Sequence, residues 1–195
     1  FQLYKGGGRT VVENEVLASN VCQCFDCKQV IYTLGQYDGE LVSVSDIMTS
    51  KEQSIVSREA FEIYAVNKEI DPMKYILQLD AYSFYMMNIL DYLVGNVDRH
   101  WGNWGFLVDN RKNKPLSLHP LMDFNQSFQM YDTIEGANCQ PMLPLVISQK
   151  EAAINAVKKI GSHQTAEIDP AWFGGKEKEY DMLMKRLHIL QSLKA

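Results

Sequence analysis

Three side chains whose oxygens could hold a metal or take a proton fall in one order along the chain. Asp98 and Asn103 are five residues apart, and Asp123 follows twenty residues later. Carboxylate, amide and carboxylate oxygens are hard ligands suited to Mg²⁺. Phosphoryl transfer needs such a set: one carboxylate orients or deprotonates the attacking hydroxyl, while an amide and a second carboxylate hold metal against the phosphates. A lone Asp or Asn in a loop is ordinarily a turn or cap residue. Here the three share a segment, Gly95 to Val108, and the strand-like run that follows it. Lys5 adds a cation able to meet phosphate as a point charge. Glu13 and Glu15 come soon after it.

The elements that must position these groups can be read from periodicity. Phe1 to Lys5 alternates with period two and predicts a strand with Phe1, Leu3 and Lys5 on one face. Gly6-Gly7-Gly8 breaks it, and Val11 to Cys24 predicts a helix, with Val12/Val16 and Leu17/Val21 at i, i+4. Gln29–Leu34 and Glu40–Val44 read as a hairpin turned by Asp38-Gly39. These elements predict a small α+β lobe over residues 1–50, and residues 51–195 read as a mainly helical lobe. Ser57 predicts a cap for a helix to about Asn67, and Asp71-Pro72 starts helices that run to about Leu93. The stripe Tyr82, Met86, Ile89, Leu90 and Leu93 reads as core. Ser148-x-x-Glu151 predicts a capped helix ending at Gly161. Asp169-Pro170 starts a short helix, and Lys176 to Lys194 predicts a terminal one. Trp104–Val108 and Leu116–Met122 read as neighbouring strands that bring Asp98, Asn103 and Asp123 to one end of a hairpin.

The spacing D-x-x-x-x-N and then D-F is the kinase catalytic-loop and metal-aspartate pattern. Asp98-Arg99-His100 reverses the usual His-Arg-Asp order. In this it distantly resembles phosphatidylinositol-kinase-like enzymes. More closely, GNVDRHWGNWGFL at 95–107 resembles the loop of HipA-type serine/threonine kinases. Val12-Glu13-Asn14-Glu15 is similar to the N-E opening of that family's first helix, and LMDFNQSF at 121–128 to its metal-aspartate strand. The resemblance implies a bilobal protein-kinase-like α+β fold, ATP and Mg²⁺, and phosphorylation of a protein Ser or Thr. Carried over, it makes Asp98 the catalytic base, Asn103 and Asp123 the metal ligands, Lys5 the phosphate-binding lysine and Glu15 its helix partner. It also implies an antitoxin-type partner. His100 is expected to support the loop by hydrogen bonding rather than to do acid–base chemistry. Arg99 is left between pairing with a carboxylate and touching a phosphate. Trp101 and Trp104 are left between packing and lining a substrate path. Asn96 and Gln126 are weaker site candidates.

The sequence also departs from kinase patterns. No G-x-G-x-x-G is present, and the three glycines follow Lys5 instead of preceding it. Asn125 stands where many kinases have the glycine of D-F-G, and no Arg precedes Asp98. The chain opens at Phe1 inside a strand-like run, so a reduced or truncated N-lobe is expected, with sequence upstream. The second function class is therefore a kinase-like module that binds nucleotide or a partner without transferring phosphate.

Composition narrows the partners. With 46% hydrophobic and 22% charged residues, the 195-residue chain is globular. A net charge of −5 argues against a general nucleic-acid binder. The sequence contains no run of about 18 apolar residues, so no membrane span is expected. Cys22, Cys24, Cys27 and Cys139 lack the paired spacing of a structural zinc site. With no secretory signal, they read as reduced thiols and the location as cytoplasmic.

Overall fold

A computed structural model describes residues 1–193. The predicted end of the last helix, Lys194, lies outside the described residues. Strand β1 (Gln2–Lys5) leads through the glycines into helix α1 (Arg9–Cys22). β2 (Thr33–Tyr37) and β3 (Glu40–Asp46) form the expected hairpin, and β1 lies antiparallel on the other side of β3, in the order β1-β3-β2. Strand pairing starts at Thr33 rather than Gln29. Gln29 instead makes a parallel bridge to Leu121, and the Val30 N–H donates to the Leu121 carbonyl at 2.8 Å. The β-rich residues before Thr33 thus tie the small sheet to the segment carrying Asp123.

After residue 50 the structure is mainly helical and holds a second sheet, in which β4 joins the two expected strands. β4 (Gln53–Ser57), β5 (Gly105–Asp109) and β6 (Lys114–Leu118) lie in the order β4-β5-β6, all antiparallel. β4 has only five residues, and its partner lies far along the chain, with Ser57 opposite Gly105. Period-two reading of so short a run gives little signal. Gly105 permits this pairing, because a Cβ there would overlap the Val56 carbonyl. The ladder of β6 stops at Leu118, short of the predicted Met122. Pro120 has no N–H with which to continue it.

The helix starts follow their caps. Ser57 accepts from the Ala60 N–H at 3.1 Å to open α2 (Arg58–Asn67). Asp71 accepts from the Lys74 N–H at 3.0 Å to open α3 (Pro72–Val94), with Pro72 in the first turn. α3 is broken at Asp80, whose backbone leaves helical geometry. Asp80 re-caps the chain through the Ser83 N–H at 3.1 Å and accepts from the Leu118 N–H at 3.0 Å. Beyond that kink the helix is buried all round, with Phe84, Met87, Ile89, Leu90, Tyr92 and Leu93 in the core. Each such side chain contributes about 1.5–3 kcal/mol by leaving water. α4 (Gln149–Ile160), capped by Ser148, and α5 (Glu177–Gln191) pack against α3. α5 buries Leu183, Leu187 and Leu190. Cys22, Cys24, Cys27 and Cys139 are free thiols, and burial pushes Cys27 and Cys139 up to about 12. No described helix is long and apolar enough to cross a membrane.

Candidate active site

Lys5 ends β1 opposite Ser43 of β3. Its Nζ lies 3.0 Å from Glu15 Oε1 and also pairs with Asp123 Oδ1. Glu15 is buried on α1, and its second oxygen accepts from the Ser43 hydroxyl at 2.5 Å. Glu13, two residues earlier, points away and pairs with Arg9 at 3.1 Å. The helix period explains the choice, because the face of α1 that meets the sheet carries Val12, Glu15 and Ser19. Burial alone would lower the Lys5 pKa. The Asp123 hydrogen bond and the Glu15 charge more than reverse this, so it is raised and the ammonium stays charged.

The loop after α3 begins at Gly95, which caps the helix in the left-handed region at φ 63. A Cβ there would overlap the Tyr131 ring. Three residues on, the Asp98 N–H donates to Asn96 Oδ1 at 3.2 Å. Asn103 Nδ2 donates to the Asp98 carbonyl at 2.8 Å and reaches Asp98 Oδ2 at 3.5 Å. Among the described residues, no side chain or backbone group donates to Asn103 Oδ1, so that oxygen is free to ligate. His100 Nδ1 accepts from the Gly102 N–H at 3.0 Å, and His100 Nε2 stands 3.9 Å from Asp98 Oδ1. The Asp98 carboxylate is half exposed and makes only these long contacts.

Asp123 itself sits in the left-handed region at φ 59. Asp tolerates that conformation better than most residues, and such backbone geometry gathers at functional sites. Its N–H donates to the Tyr32 hydroxyl at 3.2 Å, and its carbonyl accepts from Asn96 Nδ2 at 3.3 Å. Burial pushes Tyr32 up to about 12, so its hydroxyl stays protonated.

Beneath the loop lies a buried network that resolves Arg99 in favour of a carboxylate. Arg99 Nε and Nη2 each meet Asp91 at 2.9 Å, in a two-pronged pair that is almost wholly buried. Its remaining nitrogen donates to the carbonyls of Asn103, at 3.1 Å, and Met122. Asp91 also accepts from Asn96 Nδ2 at 3.2 Å, and Gln149 Nε2 holds the Asn96 carbonyl at 2.6 Å. One guanidinium thus joins the segment carrying Asn103 to the one carrying Asp123. The Arg99 pKa is raised, because the Asp91 charge outweighs the lowering by burial. Trp104 is buried against Phe84, and Trp101 is half buried under the Arg58 guanidinium.

The structure therefore brings Lys5, Glu15 and Asp123 into one cluster and Asp98, Asn103 and His100 into another. Asn96 and Arg99 link the two. Gln126 makes none of these contacts. Asp91, Tyr32 and Ser43 were not singled out by their sequence context. Asp91 had one signal: it is the only charge in the apolar run from Ala81 to Val94. The donor set suits magnesium, with one carboxylate and one amide oxygen that a nucleotide's phosphates would complete. A lysine ammonium lies beside that carboxylate.

No family model matches the chain, and no curated protein sequence matches it closely. Among solved structures it is similar to the Helicobacter pylori proinflammatory kinase CtkA, with a TM-score of 0.69 and 17% identity over 97% of this chain and 87% of that one. It is also similar to HipA of Shewanella oneidensis, solved in complex with HipB and operator DNA. There the TM-score is 0.50 at 12% identity, covering 94% of this chain and 58% of that one. The fold is HipA-like and kinase-like.

Proposed function

We propose that the chain is an ATP- and Mg²⁺-dependent kinase that transfers the γ-phosphate to a Ser or Thr hydroxyl of a protein. The observation that carries this reading is the placement of Lys5 on both Glu15 and Asp123, with Asp123 tied through Asn96 to the loop bearing Asp98 and Asn103. In this reading Lys5 exchanges part of its carboxylate pairing for phosphate oxygens, and Glu15, anchored by Ser43, keeps the ammonium in place. Asn103 Oδ1 and the Asp123 carboxylate would hold Mg²⁺, which would supply positive charge against the phosphates. Asp98 accepts the proton of the attacking hydroxyl. The new bond joins that oxygen to the γ-phosphorus as the bond to the β–γ bridging oxygen breaks and ADP leaves. His100 braces the loop at Gly102. Residues 1–50 form the nucleotide-side lobe and 51–195 the catalytic lobe. A cytoplasmic location and an antitoxin-type partner accord with this reading, since HipA was solved with HipB.

The test is transfer of labelled γ-phosphate from ATP with Mg²⁺, comparing the chain with Asp98→Ala and Asp123→Ala. Label on protein that vanishes in both variants is the expected result. The alternative, a module that holds nucleotide or a partner without transfer, is favoured by the direct pairing of Lys5 with Asp123. ATP binding by calorimetry with no transfer would select it.

A further inference from the structure

Beside the catalytic loop lies an apolar pocket of about 450 Å³, lined by His100, Trp101, Gln140, Leu143 and Pro144. None of the roles assigned above uses it. Its position is set by the chain. The Gln140 side chain donates to the Val97 carbonyl at 2.7 Å, which holds the segment after Asn138 against the loop bearing Asp98. The shared wall is His100, whose Nε2 is 3.9 Å from Asp98 Oδ1. The pocket is therefore separated from Asp98 by one side chain, His100. The apolar surface runs on from Leu143 through Leu145 and Val146, both exposed. Isolated exposed apolar residues are normal, whereas a contiguous apolar strip opening on a catalytic residue marks a binding surface.

The charge around the pocket narrows the occupant. Asp98 stands on one side. Glu59 stands on the other, its N–H donating to the Trp101 carbonyl at 3.0 Å and its Oε2 lying 3.8 Å from where a Cβ on Gly102 would be. The whole chain carries −5. The nearby cations are already engaged: Arg58 is stacked over Trp101 and paired with Glu62, and Arg99 is paired with Asp91. An apolar pocket between carboxylates fits a peptide that is apolar at one position and basic beside it. An extended peptide advances about 3.3–3.6 Å per residue, so a side chain one or two residues from the acceptor reaches past His100.

We infer that this pocket selects the acceptor: a protein segment with a large aliphatic or aromatic side chain within two residues of the Ser or Thr, and Lys or Arg nearby. The inference rests on the kinase reading above. It places specificity on Leu143 and Pro144, which take no part in phosphate transfer.

The experiment offers the wild-type chain a positional-scanning library of Ser/Thr peptides with labelled ATP and Mg²⁺, and repeats it with Leu143→Asp and Leu143→Ala. Leu143 is 39% exposed, so both variants are expected to fold. Wild type should prefer Leu, Ile, Met or Phe at one position near the acceptor by about tenfold, the scale of a hydrophobic subsite. Leu143→Asp should erase that preference and raise the peptide KM about tenfold, with the ATP KM unchanged. Leu143→Ala should fall between. Labelled peptides with no apolar preference, or a preference that survives Leu143→Asp, overturn the inference and leave the kinase reading standing. Label confined to lipid vesicles or to a second copy of the chain overturns the free-segment acceptor. ATP bound with no label on anything removes the kinase reading and the inference together.

Discussion

Two ion-paired clusters flank the loop that bears Asp98 and Asn103, and they are built differently. In the first, Lys5 and Asp123 remain about 30% and 27% exposed, and one ammonium is shared between two carboxylates. In the second, Arg99 and Asp91 are about 1% and 4% exposed, and all three nitrogens of the guanidinium have partners. A half-open pair can exchange partners, because water and a ligand's phosphates can replace a carboxylate at modest cost. A fully buried pair cannot, because either charge left alone bears an uncompensated desolvation penalty. The open cluster suits ligand chemistry and the closed one suits holding geometry. Arg99 also reaches two backbone carbonyls on different segments, so it fixes backbone where Lys5 touches only side chains.

This contrast can be broken by substitution. Asp123→Ala, in the open cluster, should lower turnover by several orders of magnitude while leaving the urea midpoint nearly in place. A variant with near wild-type turnover would sink the metal assignment. Arg99→Ala, in the closed cluster, should cost about 3–5 kcal/mol of stability by leaving Asp91 buried and unpaired. Equilibrium urea unfolding measures this, and a loss below about 1 kcal/mol would show that water relieves the site. Lys5→Met should behave as the mirror image. Its ATP affinity should fall in calorimetry, while its stability loss should lie between about 1 kcal/mol for a half-exposed pair and about 3–5 kcal/mol for a buried one, because Glu15, 1% exposed, keeps the Ser43 hydroxyl as a partner. Equal stability losses for Lys5→Met and Arg99→Ala would erase the distinction between the clusters.

A smaller effect comes from His119, buried at the end of β6. Burial lowers its pKa below the ordinary 6.5, so the fold holds it neutral. The unfolded chain therefore binds a proton first as pH falls. His119 contributes stability fully above about 6.5 that is lost progressively below it. Thermal unfolding between pH 5 and 7 should show this decline, roughly one proton's worth. His119→Gln should flatten it, and an unchanged slope would assign the decline to another group.

The ordinary contacts of the chain were readable from local chemistry. Ser57, Asp71, Ser148 and Asp169 each accept from an N–H in the first turn that follows, as side chains of these types do at helix starts. The order Asp98, Asn103, Asp123 was readable because phosphoryl transfer demands few residue types, and the loop motif is long. β4 was not readable, since five residues with a partner in β5 carry their signal mostly in the pairing. Nor was the break at Asp80, which depends on the Leu118 N–H that its carboxylate receives.

From sequence alone came the kinase-like α+β class, the candidate residues and the strand, helix or loop that carries each, because periodicity and capping are local. Folding settled which charges meet. It chose Glu15 over Glu13, gave Arg99 to Asp91 rather than to a phosphate, and set Tyr32 under the Asp123 N–H. The choices join residues separated by 8, 10 and 91 positions. Such pairings are decided by which faces share a desolvated interior, where an unpaired charge or N–H costs far more than it does in water.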